Sequence, residues 1–427
     1  METWKEEGPP WQRTRFFQTT LAYPTHLFTF VPWRDPPTNE DLYAYKKTIA
    51  EYEAAHIWEL AKKMANPYEL IHTQDDSHFH PSLCIYRPLS RSYFKMIEML
   101  GVLKFYEMVP KTQHKIRSAH VAEGPGGFIE ALLETAEHQK KQVQCALAMT
   151  LKPTNNSVPG WRRASIFLQR HQEIKLHYGA DNTGDIYVKE NQASFIERAK
   201  PGVQLFTADG GFDFSIDYSV QEKRVFQLLL CSSLIGLQCL STNGCFVLKF
   251  FDILSDHTQI LIVLLGRCFR EWNLYKPATS RPCNSERYFL GKGFRGLRPE
   301  ILELLLKMEE QSLKGFYPVS EDFITASEKN YITSHIDELA ITQKASLKKA
   351  ISYIHSPSLW ENSVHQYFTL SRAWCQQFHV PALQKTVNLT AVAAVVSQMS
   401  ARASVLQSQK PGAETDLPLP SCPALPA

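Results

Sequence analysis

Between residues 119 and 291 short β-prone runs alternate with helical stretches, and that alternation constrains the fold more than any other feature. Residues 119–123 read as a strand that enters the turn Gly124-Pro125-Gly126-Gly127. Residues 128–138 are helical, with Ile129, Leu132 and Leu133 on one face. Residues 143–151, 203–208 and 245–251 are strand-like, and residues 220–240 and 257–269 helical. Residues 274–277 and 287–291 are spaced to pair as a terminal hairpin. Successive parallel strands need long crossovers, which helices supply. The pattern predicts an α/β fold, a Rossmann-like sheet with helices on both faces.

The flanks read differently. Residues 1–39 are rich in Pro, Trp and Phe without periodicity and read as an irregular N-terminal extension. A helix is predicted from Thr38-Asn39-Glu40-Asp41 to Asn66-Pro67, because a residue before proline resists the helical conformation. Residues 90–102 read as a further helix carrying Lys95. The α/β region thus spans residues 40–298, a helical C-terminal region 299–399, and a Ser-, Pro- and Ala-rich tail, predicted disordered, 400–427.

A formal net charge of +3 over 427 residues excludes a whole-protein basic signature, so any nucleic-acid site must be a local groove. The nine cysteines form no CxxC pair and no zinc-spaced cluster, which predicts buried thiols, a reducing compartment and no structural metal. The segment METWKEEGPPWQR lacks the apolar core of a signal peptide. The longest apolar run, QILIVLLG, is too short to cross a bilayer, so no membrane partner is expected.

The glycine turn stands between a strand and a helix, where open α/β sheets bind ligands. The second strand ends Met149-Thr150-Leu151-Lys152 without the acid that a dinucleotide ribose requires, which disfavours NAD and hydride transfer. Alone, the turn fits a ligand-free αβ connection as well. Four charged residues extend the pattern: Lys95 in RPLSRSYFKMIE, Asp209 in LFTADGGFDF, Lys249 in GCFVLKFFD and Glu286 in TSRPCNSERYFLGKGF. Taken singly, each fits a salt-bridged strand end.

Together, in this order, these segments resemble the Rossmann-fold RNA ribose 2′-O-methyltransferases of the FtsJ/RrmJ type. Their wording is most similar to the mRNA cap 2′-O-methyltransferases of eukaryotes, protists and large DNA viruses. The resemblance runs from about Lys62 to Gly293. It implies an S-adenosylmethionine-dependent methyltransferase fold with Lys95, Asp209, Lys249 and Glu286 as the catalytic set. It implies cofactor contacts at Lys62, Ser90, Glu123, Gly124, Pro125, Gly126, Gly127, Phe128, Gly184, Asp185, Ile186 and Asp209. It implies substrate contacts at His72, Ser219, Val220, Gln221 and Asn284, with His72 and Ser90 standing where the family often has Arg and Asn. For methyl transfer to a hydroxyl, a neutral amine must take the proton. Burial, a neighbouring lysine and the sulfonium would lower the Lys249 pKa, whereas Asp209 and Glu286 would raise it.

The resemblance also implies 5′-capped mRNA as substrate, capping enzymes or RNA polymerase as partners, and the nucleus as the workplace, or the cytoplasm for a viral enzyme. A charged 7-methylguanine calls for aromatic walls. Trp11, Phe16, Phe17, Phe28, Phe30, Trp33 and Trp161 are candidates, although aromatics near an N-terminus equally serve packing. Arg91, Lys152, Arg162, Arg163, Arg281 and Arg287 are candidates for phosphate contact. Methylation of rRNA or tRNA, and a catalytically silent RNA-binding scaffold, remain open alternatives.

Overall fold

The computed structural model describes residues 8–19, 28–36, 40–54, 56–73, 79–110, 112–153, 160–211, 221–383 and 386–408. Ten strands are described: β1 (Phe17–Gln18), β2 (Thr29–Pro32), β3 (Lys115–Val121), β4 (Gln142–Met149), β5 (Ile174–Leu176), β6 (Val203–Ala208), β7 (Leu240–Phe250), β8 (Phe269–Tyr275), β9 (Arg287–Phe294) and β10 (Phe316–Val319). Eight of them form one sheet in the order β1-β8-β9-β7-β6-β3-β4-β5. Strands β3 to β7 run parallel, while β9 is antiparallel to both β7 and β8.

Side chains alternate between the two faces, as strand periodicity demands. Leu205, Cys245 and Val247 face one core cluster, with Tyr93, Phe128 and Ile129. Phe206, Phe246 and Leu248 face the other, with Val225, Leu229 and Leu234. The helices Ser92–Leu103 and Gly127–His138 therefore cover one face, and Gln221–Cys239 covers the opposite one. A third cluster joins Trp58, Met64 and Leu70 near the N-terminus to Leu347, Tyr353, Trp360 and Tyr367 from the C-terminal helices.

Several expectations shift. The helix expected up to Asn66-Pro67 is two helices, Glu40–Ala54 and Trp58–Ala65, separated at His56, whose φ is +54°. The N-terminal extension is not irregular throughout: β1 joins the sheet edge beside β8, and β2 pairs with β10. The C-terminal region holds that strand besides its helices, and its last helix, Leu389–Ser408, continues past residue 399. That helix contains an 18-residue window, Leu389–Leu406, long and apolar enough by length and composition to cross a membrane. Polar residues interrupt it, so it escaped a search for uninterrupted apolar runs. In the fold its Val392, Val395 and Met399 are buried in the helical cluster. The 274–277 and 287–291 segments do pair, but β9 lies inside the sheet between β7 and β8. Glu286 therefore precedes an interior strand rather than one at the margin of a terminal hairpin. Of the tail, residues 409–427 lie outside the described residues.

The segment between β8 and β9, residues 276–286, is fastened from several directions. The fully buried Glu98 accepts from the Ala278 backbone N–H at 2.7 Å and from Trp374 Nε1 at 2.9 Å. Gln343 Nε2 donates to the Cys283 carbonyl at 3.0 Å. Glu69, only 2% exposed, accepts from Arg281 Nη2 at 2.9 Å, Arg91 Nη1 at 3.1 Å and Asn66 Nδ2 at 2.7 Å. Burial alone would raise the Glu69 pKa, but the guanidiniums of Arg91 and Arg281 overcome it and lower it from 4.5 to about 2.

A depressed carboxylate pKa stabilises the fold above the unfolded-state value, and the contribution disappears as pH falls through the folded-state value. The shift from 4.5 to about 2 corresponds to about 3 kcal/mol. Glu69→Gln is expected to lower unfolding free energy by about that amount at neutral pH. The difference from the parent should narrow progressively from pH 4.5 towards pH 2. Urea titrations across that range measure it, and a pH-independent difference contradicts the assignment.

Candidate active site

The chain runs from β3 outward through β4 to β5, then returns to place β6 on the other side of β3. The carboxyl ends of β3 and β6 are thus the switch point of the sheet, where a crevice opens. The glycine turn follows β3 and Asp209 follows β6.

Two glycines of the turn are required for reasons that sequence did not show. A Cβ on Gly124 would lie 2.6 Å from the Gly160 carbonyl oxygen. Gly126 has φ +105°, and a Cβ there would lie 3.0 Å from the Trp161 ring. Any side chain at Gly126 would strain the turn with or without a ligand, so substitution there is no test of cofactor binding. Gly124 and Pro125 are half-buried, while Gly126, Gly127 and Phe128 are buried. The Phe128 ring packs 6.0 Å from Tyr288, which leaves its backbone as the part nearest the turn. Ser90 and Ser92, whose hydroxyls are 2.5 Å apart, crowd the Cα of Gly127. Glu123 is buried between Thr207, which donates to it, and His120 Nδ1 at 3.2 Å. Burial pushes the Glu123 carboxyl up, with His120 and Thr207 opposing and Asp209 adding to the rise.

The loop that carries Gly184, Asp185 and Ile186 is folded against the end of β4. Lys152 N–H donates to the Thr183 carbonyl at 2.7 Å, and Gly184, at φ +72°, donates to the Tyr178 carbonyl at 2.7 Å. The buried Asn191 amide ties the loop together through Asp181 at 2.8 Å and the Asp185 carbonyl at 3.0 Å. Asp185 accepts from the Tyr187 N–H at 2.8 Å and stays partly exposed, whereas Ile186 is buried in the core.

The four charged residues converge. Register sets Lys249 in β7 opposite Tyr288 in β9, and β6 leaves the sheet beside β7 at Asp209. Lys249 Nζ donates to the Asp209 carbonyl at 2.6 Å and lies 3.3 Å from its Oδ1. Tyr288 Oη donates to the same Oδ1 at 2.8 Å. Lys95 Nζ lies 2.8 Å from Glu286 Oε1. Burial disfavours the Glu286 charge, but Lys95, then Lys249 and Lys276, outweigh it and hold the carboxyl well below its ordinary range. Lys95, Lys249 and Asp209 remain partly exposed, so the centre is open to a ligand.

Other expected residues are distributed around this centre. Asn284 is exposed, with its amide oxygen turned inward to Lys276 and to the Glu286 N–H at 3.2 Å. Gln221 is buried at the start of its helix, and Ser219 and Val220 lie outside the described residues. Lys62 pairs with Glu59, and its charge reaches Cys283. His72 is buried with its ring 5.4 Å from Phe94. Among the described residues, no group of three or more His, Cys, Asp or Glu could hold a metal ion.

The basic candidates divide. Arg91 and Arg281 are drawn inward to the buried Glu69, and Arg287 is itself buried, with Nη2 4.0 Å from the half-buried Asp252. Lys152, Arg162 and Arg163 are exposed. The aromatic candidates serve packing: Trp11 against Tyr68 and Phe378, Phe17 against Trp272, Phe28 against Phe323, Trp33 against Phe226 and Tyr317, and Trp161 against the glycine turn. Phe16 and Phe30 lie beneath Lys292 and Lys307. Sequence reasoning missed Tyr288, Ser280 and Lys276. Tyr288 was within reach, since it stands two residues after Glu286 at the start of a strand and shares its face.

Residues 88–294 match the family described as FtsJ-like methyltransferase. A 254-residue segment, 55% of the chain, is 32% identical to cap-specific mRNA (nucleoside-2′-O-)-methyltransferase 1 of Xenopus laevis, covering 28% of that protein. The Homo sapiens protein of that name is 33% identical over 254 residues, 55% of this chain and 28% of its own length. Cap-specific mRNA (nucleoside-2′-O-)-methyltransferase 2 of Danio rerio is 32% identical over 234 residues, 51% of this chain and 30% of its own. The chain thus spans less than a third of the length of these relatives. With seven of the eight strands of the sheet, the switch-point turn and the charged centre inside the matched segment, residues 88–294 form an FtsJ-like methyltransferase domain.

Proposed function

We propose that this protein transfers a methyl group from S-adenosylmethionine to a ribose 2′-hydroxyl near the 5′ cap of mRNA. The observation that carries this reading is the meeting of two lysine–carboxylate pairs, Lys95–Glu286 and Lys249–Asp209, beside the glycine turn at the switch point. Crevice chemistry fits the donor: Asp209 and Asp185 supply carboxylates for cationic and hydroxyl groups, and the half-buried turn at Gly124 and Pro125 offers backbone. When bound, S-adenosylmethionine supplies an electrophilic methyl on a sulfonium.

Lys249, in its unprotonated form, accepts the ribose hydroxyl proton. With that methyl supplied, the ribose oxygen gives up its proton to Lys249, which ends as the ammonium. Asp209 holds Lys249 in place and is itself held by Tyr288. Lys95, fixed by Glu286, orients the ribose. Asn284 and Gln221 flank the RNA path, with Ser219 and Val220 in the adjoining segment. Ser90, Glu123, Gly124, Pro125, Gly126, Gly127, Phe128, Gly184, Asp185 and Ile186 surround the donor, with Lys62 at its periphery. Capped transcripts are made in the nucleus, which is where this activity belongs, alongside other capping enzymes or the polymerase.

Lys249→Ala is expected to lower the methyl-transfer rate by about 10²-fold or more, since it removes the proton acceptor. Calorimetry should show donor affinity within a few-fold of the parent. Unchanged turnover would remove Lys249 from this role.

The substrate class is checked with paired RNAs of one sequence, capped and uncapped, and nuclease mapping of the labelled ribose. A stacked, charged 7-methylguanine contributes about 1–3 kcal/mol plus a cation–π increment. Loss of the cap should therefore reduce kcat/KM roughly ten- to several-hundred-fold. Added 7-methylguanosine triphosphate should compete with capped RNA and not with the donor. Equal rates on both RNAs would assign the activity to structural RNA.

A further inference from the structure

Lys276 stands immediately after β8 and is half-buried. Its Nζ donates to Ser280 Oγ at 3.0 Å, to the Asn284 carbonyl at 3.0 Å and to Asn284 Oδ1. An ammonium carries three N–H donors, and here each has an acceptor. Ser280 has one hydroxyl hydrogen, and Glu286 Oε1 lies 2.7 Å from its oxygen. An ionised carboxylate only accepts, so Ser280 accepts from Lys276 and donates to Glu286. Asn284 Oδ1 also receives the Glu286 N–H at 3.2 Å. The two side-chain routes out of Lys276, through Ser280 Oγ and Asn284 Oδ1, end on Glu286.

We propose that Lys276 is a positioning residue which, in its charged form, directs the Ser280 hydroxyl hydrogen onto Glu286 and so fixes the Lys95–Glu286 pair. This rests on the methyl-transfer reading above. When Lys276 loses its proton, its nitrogen keeps two N–H donors and gains a lone pair. The Ser280 hydroxyl then turns towards that lone pair and abandons Glu286. The Lys95–Glu286 pair loses one of its fixed neighbours, and the ribose its orientation.

The surroundings place this exchange near neutral pH. Burial lowers the Lys276 pKa from 10.5 to about 7, Lys95 and Arg287 reinforce the fall, and Glu286 opposes it. The groups facing it are Glu286 and Cys283 in the same segment, Lys95 on the helix Ser92–Leu103, Arg287 in β9 and His335 on the helix Ala326–His355. Burial pushes the Cys283 thiol up to about 12, while burial and then Arg287 and Lys276 hold His335 well below its ordinary value. Cys283 and His335 therefore stay neutral and Glu286 stays ionised where Lys276 changes charge. The amine's folded-state pKa is depressed, so rising pH removes the charge and with it the grip on Glu286.

The test is the pH dependence of kcat on capped RNA for the parent, Lys276→Arg, Lys276→Met and Ser280→Ala. The parent should lose activity on the alkaline side as Lys276 deprotonates. Lys276→Arg keeps the charge at every accessible pH and should lose that limb. Lys276→Met and Ser280→Ala should lower kcat about tenfold or more, with donor affinity by calorimetry within a few-fold. Parent-like kcat and an unchanged alkaline limb in both Lys276→Met and Ser280→Ala would overturn the proposal. If the parent transfers no methyl to any RNA, the methyl-transfer reading itself fails. Carbon-13 titration of lysine-labelled protein then decides on Lys276 without turnover. A lysine signal titrating near neutrality in the parent and missing from Lys276→Arg supports the switch, and its absence from the parent overturns it.

Discussion

A carboxylate that is 7% exposed and faces three lysine side chains governs the rest of this structure. Glu286 is disfavoured as an ion by burial, and it remains one because Lys95, Lys249 and Lys276 surround it. Removing one partner of such a buried arrangement strands the others, so the elements that carry them must be held together. Those elements are far apart in the chain: a helix before β3, the strand β7, and the segment after β8. The antiparallel insertion of β9 between β7 and β8 makes the meeting possible. It sets Tyr288 opposite Lys249, on one face of the sheet, with Glu286 two residues before Tyr288 and on the same side.

An eleven-residue connection between two strands would be a poor support for such a group if it were loose. Ordering each residue's backbone costs about 1–2 kcal/mol, and something must offset it. Here Glu98 receives the Ala278 N–H, Glu69 receives Arg281, and Gln343 donates to the Cys283 carbonyl. Glu69 precedes the methyltransferase segment at residues 88–294, and Gln343 and Trp374 follow it. The flanking helices are therefore part of what shapes the charged centre. The third core cluster, which packs N-terminal and C-terminal helices together, is what places their polar ends against it.

Much of this was legible in the sequence because it is local. Apolar alternation gave the strands, and a glycine turn between strand and helix gave the crevice. The order Lys95, turn, Asp209, Lys249, Glu286 gave the charged centre. What escaped depends on pairing between distant segments. The interior position of β9 is a matter of strand order, which periodicity does not carry. Lys276 reads as an ordinary charge beside a proline until the β8–β9 segment folds back over it. Gly126 stands in a turn placed where open sheets bind ligands, whereas its backbone conformation and the Trp161 ring already demand glycine. Arg91 and Arg281 read as phosphate contacts because nothing nearby in sequence announces that Glu69 consumes both.

On the proposed reading, that consumption bears on how RNA is held. Among the six basic residues that sequence set beside the crevice, three are drawn inward to carboxylates and three, Lys152, Arg162 and Arg163, are exposed. With a formal net charge of +3, the chain has no broad field to replace them. Each phosphate neutralised contributes close to one unit to the slope of log affinity against log salt for duplexes, and about 0.7 for single strands. On the proposed reading, each basic residue drawn inward removes one such increment from the crevice. Discrimination between RNAs, on the same proposed reading, falls to short-range contacts at the crevice, which depend on the same fixed geometry that Glu286 imposes.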